Sequence, residues 1–286
     1  MHRTDGDGWL DCSCGRRHWG RLGAAGLLLV SLDGRVLLQH RAVWSHEGGT
    51  WAVPGGARSS TERPVDTALR EAAEEAGVHP GDVEPVFAVV DDHGSWSYTT
   101  VVAHTGRTVE TRPADPESVE LRWVPLDDVS SFPLHPAFDA AWPQLRDQAM
   151  RRLALVVDAA NVVGSRPDGW WRDRLAANRR LRDALVVAAD RGFPAEELGL
   201  PANWWWPGIR LVVEGQAREL EPVRGVEVLP APRDGDTLIA QTVDNLVREH
   251  ADDHIVVVTA DRLLRGRLAP RVHVVGPRTL LRLLER

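Results

Sequence analysis

Lysine is absent from this chain, and all 34 of its basic residues are arginine. That bias reads as a mark of genome composition more than of function. Cysteine is nearly as scarce, with 2 in 286 residues. No disulfide framework therefore supports the fold, and the cytoplasm is the expected compartment. Long hydrophobic runs are missing too. Residues 24–30 are apolar but far too few to cross a bilayer, and no cleavable signal is visible, so no membrane partner is expected. Charge of one sign does not dominate. Residues 152–286 carry 20 Arg and 19 acidic residues, and residues 1–151 carry 14 and 22. The near-neutral second half could accept nucleic acid but does not demand it, whereas an acidic site in the first half would need a cation to handle phosphate. What remains is 43% hydrophobic and 26% charged, a globular composition long enough for one or two domains with cores of their own.

The most informative stretch is residues 56–78, GARSSTERPVDTALREAAEEAGV. Pro64 suits a first-turn position and Gly77 a left-handed cap, so a helix is predicted over 64–76. On it Glu71, Glu74 and Glu75 fall within about 100° of one another. Val65, Leu69, Ala72, Ala73 and Ala76 form the opposite, small and apolar side. Three carboxylates on one exposed stripe repel each other unless a cation sits among them, and hard oxygen donors suit Mg²⁺ or Mn²⁺ rather than zinc. A charge run is ordinarily a solvated face. The fixed offsets of Glu62 and Arg70 and the preceding Gly55-Gly56 argue otherwise.

This spacing resembles the Nudix box, departing from it only at Ala72, which is small for its aliphatic position. The resemblance implies a Nudix α/β/α sandwich with a mixed sheet over residues 21–150, and a pyrophosphohydrolase acting on a nucleoside diphosphate linked to another group. It also implies metal held by Glu71, Glu74 and Glu75 with help from Gly55 and Gly56, glutamates oriented by Arg70, and a supporting role for Glu62.

Around the box, residues 25–31 and 35–40 read as a hairpin turned by Asp33-Gly34. Trp51 could pack in the core or stack on a base. Strand character returns at 86–90, 98–104 and 119–124, with the polar segment 105–118 between the last two, and residues 126–150 should supply a closing helix. Glu117 and Glu120 sit in a run similar to a common Nudix ending. That similarity makes Glu117 the candidate extra ligand or general base, against an ordinary surface charge. Ahead of all this, residues 1–20 form a small lobe with Cys12, Cys14 and His18. These three could ligate zinc, but a structural site usually takes four ligands and no second cysteine pair exists, so a buried thiol pair is the expected reading.

Residues 152–286 alternate short apolar strands (153–157, 209–213, 226–229, 255–259, 272–275) with helical stretches (172–190, 237–248, 262–268, 278–285). Such alternation argues a doubly wound parallel sheet, whose active residues gather beyond the carboxyl ends of the strands. Asp158 ends the first strand, Asp261 follows the fourth, and Asp236 begins a helix, where a carboxylate also caps free N–H groups. With Asn161 they resemble a PIN/NYN-type nuclease domain, which implies a divalent metal over a phosphodiester. Asp236-Thr237 and Glu214-Gly215 depart from that family's pattern. Trp170, Trp171 and Trp204 to Trp206 could stack on single-stranded bases or fill a core or interface.

Three functions follow as expectations. One is a metal-dependent Nudix hydrolase of a nucleotide derivative. The second is an RNA-processing protein joining 5′-diphosphate hydrolysis to a nuclease. The third is a non-catalytic nucleotide sensor, disfavoured by the complete set of glutamates. Substrate identity and oligomeric state are open at this level.

Overall fold

The computed structural model describes residues 4–107, 109–114, 116–166 and 169–285. Thr108 and Asp115, in the polar segment 105–118, thus lie outside the described residues. The chain divides into two compact units, Met1–Met150 and Arg151–Arg286, and no described helix is long and apolar enough to cross a membrane.

In the first unit a two-stranded hairpin, β1 (Trp9–Asp11) and β2 (Arg17–Trp19), precedes a mixed sheet. Its strands are β3 (Ala24–Val30), β4 (Arg35–Arg41), β5 (Trp51–Ala52), β6 (Gly55–Ala57), β7 (Val83–Asp92), β8 (Ser97–Thr105) and β9 (Ser118–Pro125). The path runs β7-β8-β3-β4-β5, with β6 paired to β3 and β9 to β4. Among the described strand pairs of this unit, β3–β8 is parallel and the others are antiparallel. The predicted hairpin is β3–β4. All of β3 is buried, as expected for a continuous apolar strand covered on both faces.

Helix α1 (Pro64–Ala76) has the predicted limits, with Pro64 in its first turn and Gly77 at φ 68° closing it. It lies on β3 and β6 through Ala68, Ala72 and Ala76, all fully buried at four-residue spacing, which lets the backbones approach closely. The sequence-based face is only partly right. Leu69 and Ala73 are half-buried, whereas Thr67 is buried. The closing segment is a 3₁₀ turn, Leu126–Ser131, then α2 (Pro136–Gln148). Trp51 packs in the core, stacked on His40 at 4.8 Å and edge-on to Phe132 at 5.1 Å.

The second unit holds β10 (Leu153–Asp158), α3 (Ala159–Gly164), α4 (Arg174–Arg191), β11 (Phe193–Pro194), α5 (Ala195–Leu198), β12 (Trp204–Trp205), β13 (Gly208–Val213) and β14 (Val226–Pro230). After these come α6 (Gly235–Glu249), β15 (His254–Val258), α7 (Arg262–Arg267), β16 (His273–Val275) and α8 (Pro277–Leu284). A parallel sheet in the order β14-β13-β10-β15-β16 is its centre. Ala154 and Val156 of β10 join a core with Ile239, Val243 and Leu264 of α6 and α7. Leu155 and Val157 are equally buried and point to the opposite face by strand alternation. The short antiparallel pair β11–β12 was not anticipated, because two-residue strands leave no periodic signal. Its Trp205 is fully buried while Trp171 is exposed, so the tryptophans do not form one stacking platform.

Candidate functional site

Arg70 is the hub of the first site. Its Nε donates to Glu62 Oε1 (2.6 Å), one terminal nitrogen to Glu71 Oε1 (2.7 Å), and the other to the Ala57 carbonyl (3.0 Å) and Glu62 Oε2 (3.1 Å). Glu74 stands 3.6 Å away, one helical turn on. Glu62 is further held by the Ser59 N–H and the Thr67 hydroxyl. Those bonds explain why Thr67 is buried, a role that hydrophobic periodicity could not reveal. Glu75 accepts from the Gly55 N–H at 2.9 Å, tying the helix to β6.

The acidic face is therefore not the exposed stripe expected from the helical wheel. Glu71 is 9% exposed and Glu75 5%, because β6 packs over that side of α1. Electrostatics follow the packing. Hydrogen bonding from Arg70 is the main cause that holds the Glu62 carboxyl down at about 2. Burial pushes Glu71 up to about 6, with Arg70 opposing the shift and Glu74 and Glu62 adding to it. Gly56 has no room for a side chain, since a Cβ there would lie 2.5 Å from Glu71 Oε1. At Gly55 a Cβ would meet the Ala25 carbonyl and the Tyr98 hydroxyl, both at 2.7 Å. Tyr98 was missed in the sequence, where it read only as a strand residue. Burial raises its phenol well above the usual range, with Glu75 and Glu71 contributing.

Glu117 precedes β9 and lies one residue from Ser118, whose hydroxyl donates to the Glu75 carbonyl at 3.4 Å and accepts from Gln39 Nε2 at 2.6 Å. Its neighbour Glu120 is paired with Arg122, which in turn covers the Trp51 ring at 5.1 Å.

In the second unit, Asp158, Asn161, Asp236 and Asp261 line one cavity of about 270 Å³ together with Glu214 and Gly235. It opens beyond the carboxyl ends of β10 and β13, where the strand order reverses direction around β10. Asp158 is buried and accepts from the Asn161 N–H (3.0 Å) and the Thr259 hydroxyl (2.9 Å). Burial raises its carboxyl, and the Asp236 and Glu214 charges add to the rise. Asp236 is raised as well, by burial and then by Asp261 and Asp234. The cap of α6 is Asp234, which accepts from the Thr237 N–H at 2.8 Å, and this frees Asp236 for the cavity. Asp261 does cap its helix, accepting from Leu263 and Leu264 N–H groups. Glu214, which departed from the nuclease pattern, also reaches the cavity wall and accepts from Gly235 N–H at 2.9 Å. Its place at the end of the strand paired with β10 was the available signal.

The expected buried thiol pair in the first lobe needs correcting. Cys12 is buried, but Cys14 is exposed.

Residues 20–147 match the NUDIX domain family. The chain is 52% identical over 154 residues to a Mycobacterium tuberculosis protein provisionally named 8-oxo-dGTP diphosphatase 3, covering 50% of this chain and 70% of that one. It is 50% identical over 147 residues to a nucleoside triphosphate pyrophosphatase/Nudix hydrolase fusion protein of Bifidobacterium longum. That match spans 49% of this chain but only 30% of the relative. A solved Nudix hydrolase from M. smegmatis, RenU, is similar at 49% identity and a TM-score of 0.46, over 50% of this chain and 94% of that one.

Proposed function

This chain belongs to the NUDIX family, and from that premise we propose that its first unit is a metal-dependent pyrophosphohydrolase of a nucleoside triphosphate or nucleoside diphosphate derivative. The observation that carries the reading is the gathering of Glu62, Glu71 and Glu74 around Arg70, with Glu75 anchored to Gly55. Four carboxylates against one guanidinium leave a charge of −3, and an all-oxygen donor set fits a hard divalent cation such as Mg²⁺ or Mn²⁺. Glu71, Glu74 and Glu75 would hold it, with the backbone of Gly55 and Gly56 close by. Such an ion, when bound, neutralises phosphate charge and makes a bound water more acidic.

The chain's own residues supply the rest. Arg70 fixes the carboxylate orientations through charge-assisted hydrogen bonds. Glu74, more accessible than Glu71 or Glu75, or else Glu117, takes the proton as water attacks phosphorus. An oxidised purine nucleoside triphosphate is the first substrate to test, since a half-identical relative is named for one.

The deciding experiment measures phosphate, pyrophosphate and nucleotide release from a panel of nucleotides and 5′-triphosphorylated RNA, with Mg²⁺ and with chelator. Metal-dependent release is expected. Tight nucleotide binding without release would support a sensor instead. Gly56→Ala should keep the fold, because the clash is with a flexible carboxylate end, yet displacing Glu71 should lower kcat/KM by ~10²-fold.

A second reading concerns the second unit. The acidic cavity around Asp158 supports a metal-dependent phosphodiesterase of the PIN/NYN kind, and with it RNA as a partner. Its described lining contains no cationic side chain to balance Asp158, Glu214, Asp236 and Asp261. Shortening of RNA that survives loss of the first site but disappears in Asp158→Asn is the expected result. Equal RNA decay in wild type and Asp158→Asn would reduce this unit to a scaffold.

A further inference from the structure

Neither acidic site uses the hairpin at the start of the chain, yet its side chains converge. The turn between β1 and β2 is tight. Gly15, at φ 82°, donates its N–H to the Cys12 carbonyl (3.0 Å), and Cys12 N–H donates to the Arg16 carbonyl (2.9 Å). Cys12 Sγ, Cys14 Sγ and a ring nitrogen of His18 consequently lie within 4.8 Å of one another. Cys14 Sγ is 3.2 Å from His18 Nε2.

We propose that Cys12, Cys14 and His18 form a structural zinc site, with His93 of the β7–β8 turn completing the tetrahedron. Two thiols and an imidazole are a soft donor set that selects zinc over the hard cations suited to the glutamates. Ligands bound at ~2.3 Å (sulfur) and ~2.0 Å (nitrogen) in a tetrahedron stand roughly 3.4–3.8 Å apart. The three observed atoms thus need shifts of about an ångström at most to close on an ion. A simple thiol–imidazole pair would use Cys14 and His18 and leave Cys12, which the turn also brings within reach, without a role. A disulfide would account for both sulfurs but not for His18.

The surroundings fit the same assignment. The His93 ring lies 4.7 Å from that of His18, and its Nε2 meets Asp91 Oδ2 at 3.0 Å. A carboxylate on Nε2 leaves the lone pair on Nδ1, which is how ligating histidines are commonly oriented. Ser95 Oγ donates to Cys12 Sγ at 3.3 Å, the sense a metal-bound thiolate requires. Cys12 would surrender only its long 3.5 Å bond to the His93 carbonyl on deprotonation. The ion would fasten a lobe too small for its own core to the main sheet. Contacts already point that way, from Ser13 N–H to Ser95 Oγ (3.1 Å) and from Trp96 stacked on His18 at 4.0 Å.

The test uses the full chain purified from zinc-supplemented cells, with metal content measured by mass spectrometry and Co²⁺ substituted for zinc. One zinc per chain and a thiolate-to-cobalt charge-transfer band are expected. Both should be lost in Cys14→Ser and in His18→Ala. In His93→Ala water can take the fourth position, so the band should remain but Co²⁺ should bind more weakly by at least ~10²-fold, more than loss of an outer-shell partner costs. A strong chelator should remove the metal, lower the melting temperature and expose both thiols to alkylation. Retention of zinc in Glu75→Gln would separate this site from the carboxylate site. Cys14 is exposed, so its replacement should fold. If a variant does unfold, protection of the wild-type thiols by zinc decides. Absent zinc with two freely reactive thiols, or a Cys12–Cys14 disulfide in the purified chain, would overturn the proposal.

Discussion

Glu75→Gln should lower kcat by ~10²–10⁴-fold while the protein stays folded. The amide is the same size, and its oxygen can still accept the Gly55 N–H that Glu75 Oε2 accepts at 2.9 Å, so α1 remains tied to β6. What disappears is one negative charge on a buried face. The metal dependence tells which role was lost. An amide oxygen ligates weakly, so if Glu75 holds the ion, the variant needs far more Mg²⁺ and part of the rate returns at high metal. If it were the proton acceptor, added metal would restore nothing. Unchanged kcat with raised KM would instead assign Glu75 to substrate binding and remove it from the proposed metal centre. The same titration on Glu74→Gln and Glu117→Gln distinguishes the ligands from the base, because a lost ligand is compensated by added metal and a lost base is not.

Most elements were legible because their signals are local. Pro64 and Gly77 mark the ends of α1, Asp33-Gly34 marks a hairpin, and the apolar runs of the second unit are separated by helical stretches. The convergence of acidic residues at strand ends was legible for a similar reason. In a parallel sheet Asp158 and the residues after β15 must come to the same edge, so their meeting in one cavity follows from topology. What escaped depends on packing against residues distant in sequence. Nothing in a helical wheel says that β6 covers Glu71 and Glu75, or that Thr67 is turned inward by Glu62. Likewise, which of Asp234 and Asp236 caps α6 is decided by a shift of two residues, below what propensity can resolve.

Arg70→Ala should destabilise the first unit by ~2–4 kcal/mol without divalent metal, a decrease of roughly 5–10 °C in its melting temperature. This is at and below the low end of the ~3–5 kcal/mol usual for breaking a buried ion pair, since the Arg70 side chain is 23% exposed and water partly replaces it. The variant leaves Glu62, Glu71 and Glu74 facing each other without their cation, so its stability should respond more strongly to Mg²⁺ than wild type does. Two opposed pH effects give a sharper signature. The Glu62 carboxyl is depressed from 4.5 to about 2, chiefly by Arg70, so its stabilisation is complete above pH 4.5 and is lost as pH falls through 2. That acid-side loss should vanish in the variant. Glu71 is raised from 4.5 to about 6 by burial, against the pull of Arg70, so its ionisation costs stability as pH rises through 6. Removing Arg70 lets burial act unopposed, and the rise should grow. Acidifying the metal-free variant from pH 8 to 5 should therefore recover part of the lost stability, and saturating Mg²⁺ at pH 8 should recover it as well. A variant whose deficit is the same at both pH values and with or without metal would show that Arg70 serves the fold by packing alone.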